Sequence, residues 1–142
     1  MNGAPPPQGL YSPATRHGEL IFTSGMTPRR NGMLQQTGPI RADQPVGLYR
    51  EAALLAVENA LSAAESKLAA GERIGGVLNT VIYLMTESGF TAHSAVADLA
   101  SAHLLATFGP DRLGSRTTVG VTMLPGRASL EVQLTVFVET LR

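Results

Sequence analysis

Cysteine and tryptophan are both absent from the 142 residues. The missing cysteine removes disulfides, thiolate metal sites and a cysteine nucleophile together. Charge is scarce as well. Asp, Glu, Lys and Arg make up 15% of the chain while 44% is hydrophobic, against the quarter or so of charged residues usual in soluble proteins. A surface so poor in charge points to area covered by other subunits. The 11 basic and 11 acidic residues cancel, so there is no electrostatic case for binding nucleic acid. No apolar run has the length that spans a bilayer, and the proline-rich N-terminus lacks the apolar core of an export signal. A soluble cytoplasmic protein, with no membrane and no nucleic-acid partner, is the expectation. His17, His93 and His103 do not fall at metal-ligand spacing, so no metal site is predicted. Ser24 has no defined activating base or acidic orienter, so it is not read as a triad nucleophile.

What is present fits one domain of ordinary size. Residues 1–9, with Pro5-Pro6-Pro7 and little to bury, read as a flexible arm, and residues 10–142 as a single domain. Leu10 to Thr15 suits a short edge strand, His17-Gly18 a turn, and Glu19 to Ser24 a strand that Gly25 ends. Pro28 to Asp43 lacks any period and is read as a long loop that borders a pocket. Within it, Arg29-Arg30 is either a solvated pair of charges or a narrowing of the pocket mouth. The first helix is predicted from Asp43 or Pro45, with Leu54, Val57, Leu61, Ala64 and Leu68 inward and Gly71 as its stop. Gly75-Gly76 reads as a turn before a central strand, Val77 to Met85, apolar on both faces. The second helix runs from Thr91 or Ala92 to Phe108, with Val96, Ala100, His103 or Leu104, and Phe108 on its inner stripe. The order β-β-α-β-α-β-β predicts an α+β domain with two helices on one sheet face.

The densest information lies between Ser115 and Glu131. Thr117, Val119 and Val121 alternate with Arg116, Thr118, Gly120 and Thr122, which is strand periodicity. Leu124-Pro125-Gly126-Arg127 breaks the run, and Leu130, Val132, Leu134, Val136 and Val138 resume it with Glu131 on the opposite row. This reads as a hairpin in which Met123 faces Ala128. Arg116 and Glu131 would then lie roughly 14 Å apart along the ladder, too far for an ion pair. From pattern alone the plainer reading is a strand-edge arginine and a solvated glutamate. The functional one is a free guanidinium for a carboxylate ligand and a separate proton-transfer group.

The pattern R-x-x-V-x-V-x-x-L-P-x-x-x-x-x-E, from Arg116 to Glu131, resembles the C-terminal signature of the RidA (YjgF/YER057c/UK114) family. Tyr11-Ser12 and the run Leu20-Ile21-Phe22-Thr23-Ser24-Gly25 resemble its N-terminal half. The likeness extends from about Gly9 to Val138. It implies a chorismate-mutase-like protomer, a barrel-cored homotrimer with clefts between subunits, and cofactor-free hydrolysis of short 2-imino or 2-enamino acids to 2-keto acids and ammonia. By the same resemblance Arg116 would bind the substrate carboxylate and Glu131 would position water. Tyr11, Ser24, Gly25 and Thr118 would line the cleft, Thr118 standing where the family commonly has cysteine.

Three positions depart from the family pattern. Pro13 stands in place of a glutamine, Ser94 of an asparagine and Gln133 of a second carboxylate. Together with the His93 to Gly109 text they place the chain nearer a less characterised branch. They keep a second reading open: a non-catalytic trimer that binds a small carboxylate or acts as a chaperone-like partner.

Overall fold

The computed structural model describes residues 4–142. Five strands form one sheet: β1 (Ala14–His17), β2 (Leu20–Thr23), β5 (Glu72–Met85), β6 (Ser115–Val121) and β7 (Leu130–Thr140), in the order β1-β2-β7-β5-β6. Helices α1 (Arg50–Glu65) and α2 (His93–Phe108) complete the predicted β-β-α-β-α-β-β order, and a small hairpin, β3 (Arg29–Arg30) and β4 (Met33–Leu34), is added inside the long loop. The positive φ angles of Asn31 and Gly32 make its turn.

The apolar row of β7 fixes the layering. Leu130, Val132, Leu134 and Val136 are buried to 1% or less beneath the helices, while Glu131, Gln133, Thr135 and Phe137 between them are half-buried on the other face. Thr80, Ile82 and Leu84 of β5 join the helix-facing core. A sheet face must be covered by something apolar, and here the two helices do it. The covering works because α1 is rich in alanine. Ala52, Ala53, Ala56, Ala60, Ala63 and Ala64 are all buried, so neither sheet nor α2 is held away by long side chains. Val57, Leu61 and Ala64 of the predicted inner row are buried, whereas Leu54 is only half-buried.

Three readings are corrected. The central strand starts at Glu72, and Gly75-Gly76 lies within it, because irregularities between Ile74 and Gly76 and between Val77 and Asn79 let the long strand bend. The second irregularity leaves Leu78 43% exposed, in a strand that by its sequence reads as central and apolar on both faces.

The third correction matters most. β6 and β7 are not a hairpin. β6 pairs in parallel with β5, Arg116 opposite Thr80, and β7 pairs antiparallel with β5 on its other side, Glu131 opposite Tyr83. Ala128 bridges to Thr37 rather than to Met123. A parallel pair needs a crossover of a dozen or more residues, and α2 supplies it. That crossover places β6 at the sheet edge, and the Pro125–Arg127 turn carries the chain past β5 into the gap beside β2.

Candidate functional site

β5 relates the two residues of interest. Arg116 sits opposite Thr80 and Glu131 opposite Tyr83, three positions further on. Three is odd, so on a pleated strand the two side chains leave opposite faces of the sheet. Two strand spacings across and three residues along separate their backbones by roughly 14 Å. Within one protomer they do not converge.

Glu131 lies at the start of β7, where Met26 pairs with Val132 across the seam. A side chain on Gly25 would bring its Cβ within 2.6 Å of the Glu131 carboxyl. Glycine is therefore what lets the carboxyl rest against the neighbouring backbone. Burial pushes the Glu131 carboxyl above its ordinary pKa, with no compensating cation among the causes. Tyr11, Gly25 and Glu131 line one cavity of about 790 Å³. The Tyr11 hydroxyl accepts a hydrogen bond from the Gln8 amide, 3.0 Å, within the N-terminal segment that also lines the cavity. Ser24 does not line the cavity; its hydroxyl donates to the Ser12 carbonyl at 2.6 Å.

Arg116 is held on the helix side by α2. One Nη1 donates to the Asp98 carboxylate (2.8 Å) and the Ser101 hydroxyl (3.0 Å), and Nη2 donates to Ser94 (2.9 Å). These three residues follow one helical stripe of α2, at spacings of four and three. The guanidinium side chain keeps 23% exposure and Asp98 keeps 69%, so the pair stands at the rim of the fold rather than inside it. Two positions along β6, the Thr118 hydroxyl is buried without a hydrogen-bond partner. Beyond it Gly120 gives room to the His93 ring, whose Nε2 would lie 2.5 Å from a Cβ there. The structure thus groups Tyr11, Gly25 and Glu131 in one place and Arg116 and Thr118 in another. Among the described residues no cluster of metal-ligating side chains occurs, and no helix is long and apolar enough to cross a membrane.

Sequence reasoning missed several cavity walls. Residues 4–8 line it, as do Glu58 and Asn59 of α1, and Ala4 packs against the core. Asn59 interrupts the buried alanine face of α1, a polar residue where periodicity calls for an apolar one. That was the available signal. Arg29 and Arg30 line the cavity too, in keeping with the pocket-mouth reading of that pair.

The sequence profile of a family described as Endoribonuclease L-PSP matches residues 1–138. A protein of Dermatophagoides farinae named 2-iminobutanoate/2-iminopropanoate deaminase is 30% identical over 139 residues, covering 96% of this chain and 91% of its own. Among solved structures, Atu1372 of Agrobacterium tumefaciens, of unknown function, superposes with a TM-score of 0.78 at 28% identity, covering 94% of this chain and 86% of that one. The Escherichia coli YjgF gene product shares the fold, with a TM-score of 0.71, 19% identity and coverage of 96% and 94%.

Proposed function

The chain belongs to the Endoribonuclease L-PSP family, which is the RidA (YjgF) group, and from that premise we propose that it is a cofactor-free deaminase of short 2-imino acids. The observation that carries the reading is Glu131: a carboxyl partly stripped of water, set against Gly25 in a cavity that Tyr11 also lines. A carboxylate with a raised pKa is a better proton acceptor at neutral pH than an ordinary glutamate.

The chemistry follows. Glu131 takes a proton from water as the water oxygen bonds to the imine carbon and passes it to the nitrogen, which gives the carbinolamine. It then takes the carbinolamine hydroxyl proton and delivers it to the nitrogen as the C–N bond breaks, releasing ammonia and leaving the 2-keto acid. One water is consumed and the carboxylate is regenerated. The substrate carboxylate needs a bidentate donor. Asp98, Ser101 and Ser94 take the Nη groups of Arg116 from one side, and its Nε–H has no partner among them. Because Arg116 and Glu131 leave opposite faces of one sheet, the site is completed between copies: Arg116 of one protomer beside Glu131 of another, in a homotrimer. In support, Leu20, Phe22 and Val119 lie 37%, 43% and 39% exposed on the sheet face away from the helices, a surface that association would cover.

The alternative, a non-catalytic carboxylate-binding trimer, draws on the same three hydrogen bonds to Arg116, since a guanidinium so engaged can serve binding alone. Generating 2-iminopropanoate and 2-iminobutanoate in situ with an amino-acid oxidase and following keto-acid release separates the two. Arg116→Ala is expected to abolish the acceleration, and Glu131→Gln to lower kcat by about 10²- to 10⁴-fold with a smaller effect on ligand binding. Wild-type protein that does no better than spontaneous hydrolysis with every imino acid would leave the binding reading. RNA hydrolysis, which the family's description names, draws no electrostatic support from a chain whose 11 basic and 11 acidic residues cancel.

A further inference from the structure

The cavity beside Glu131 offers far more room than a three-carbon imino acid fills. At about 790 Å³ it falls within the range of roughly 300–1,000 Å³ that takes drug-sized ligands. Its walls away from Glu131 are not uniformly apolar, and Arg29 stands out among them. Arg16, Arg41, Arg73, Arg112 and Arg116 each hold an acidic partner. Arg29, like Arg30 beside it on the wall, has none among the described residues. Its Nη1 donates to the Gly32 carbonyl at 3.1 Å, and its Nε is buried with no acceptor at all.

This unpaired cation is on a built loop. Asn59 donates from Nδ2 to the carbonyls of both Thr27 (3.1 Å) and Arg29 (2.9 Å), and the Gln35 amide donates to the Pro28 carbonyl. Gly126 leaves space for the guanidinium, since a Cβ there would meet Nη2 at 3.0 Å. Arg29 is four residues along the same loop from Gly25, the residue in contact with the Glu131 carboxyl, a reach of at most about 14 Å of chain. Of the other charges on the walls, Glu58 opposes an anion and Arg30 offsets it.

We propose that the cavity takes a 2-imino acid whose chain ends in a second anionic group, and that Arg29 binds this distal group. A planar guanidinium with free N–H donors is matched by a carboxylate, which accepts two parallel bonds. An apolar chain end there would displace solvent from a guanidinium that lines the cavity and has no acidic partner among the described residues. The preferred substrates are therefore dicarboxylic imino acids of four or five carbons. This rests on the deaminase reading for the reaction but not for the binding.

The test compares kcat/KM for 2-iminoglutarate and 2-iminopropanoate, each generated from its amino acid by an oxidase. Wild type is expected to favour the dicarboxylate by about 10-fold, and Arg29→Gln to lose that preference. Equal kcat/KM in wild type, or a ratio that Arg29→Gln leaves unchanged, overturns the inference while the deaminase reading stands. Should no imino acid be turned over, the deaminase reading falls and calorimetry decides the inference instead. Glutarate binding about 10-fold tighter than butanoate, with the difference lost in Arg29→Gln, upholds it; equal affinities overturn it. Thermal melts of the variant establish that it is folded in either assay.

Discussion

A carboxyl pressed against a glycine backbone and partly removed from water works against the stability of the chain that holds it. Burial raises the Glu131 pKa, so the folded state binds that proton more tightly than the unfolded state. Its contribution is favourable below the unfolded-state pKa and is lost as pH rises through the folded value. Glu131→Gln is therefore expected to raise the melting temperature at pH 7 while it lowers kcat, and a pH 4 melt should shrink the difference between variant and wild type. An equal or lower melting temperature for Glu131→Gln at pH 7 would contradict the desolvation argument. In wild type the acid limb of kcat should lie above the pH at which an ordinary glutamate titrates, since the base acts deprotonated. At the neighbouring position, Gly25→Ala drives a methyl group into the carboxyl. Keto-acid release should fall, with the backbone fold unchanged by circular dichroism.

At the scale of elements, two kinds of contact set stability. The first is close packing of small side chains. Ala56 and Leu104 are both wholly buried. Ala56→Leu overfills the contact between α1 and the sheet and is expected to cost about 1–3 kcal/mol, whereas Leu104→Ala opens a cavity under α2 and should cost about 2–5 kcal/mol. Urea unfolding would measure both, and a neutral Ala56→Leu would show that α1 can move away from the sheet. The second is the tie between β1 and the start of β5. Arg16 reaches Glu72 through two hydrogen bonds, 2.6 and 2.9 Å, and the Ala69 amide adds a third at 2.8 Å. Together they hold the Glu72 carboxyl at about 2 rather than 4.5. Here the folded pKa is depressed, so the stabilisation is present above the ordinary value and lost as pH falls from about 4.5 towards 2. Melting curves across that window should show Arg16→Gln losing less stability than wild type.

For the whole molecule, the opposite faces of Arg116 and Glu131 make a prediction that no single protomer could satisfy. Alone, Arg116→Ala should be inactive and Glu131→Gln slowed by about 10²- to 10⁴-fold. Mixed, dissociated and reassembled, they should recover part of the activity, because some seams then carry an intact Arg116 and an intact Glu131 from different copies. Failure to complement, with both variants shown to co-assemble, would mean that the two residues do not share a site. The proposed trimer itself is checked by light scattering, which should give three times 14.9 kDa.

Alternating Thr117 to Val121 and the apolar row from Leu130 to Val138 were enough to place two strands. The spacing of Val96, Ala100 and Leu104 was enough for the inner stripe of α2. Local side-chain periodicity is written into the chain, since each residue's face follows from its number. The residues that resemble the family's site were likewise legible as a pattern of types. Pairing was not. Which strand lies beside β6 depends on where α2 packs, a contact between distant parts of the chain that turn residues such as Pro125-Gly126 do not encode. The mistaken hairpin put Arg116 and Glu131 on neighbouring strands. The tertiary structure inserts β5 between them, turns them to opposite faces, and brings Arg29 and Asn59 from separate segments to one cavity. Sequence determined which residues could face inward; only packing of helix against sheet decided which of them would meet.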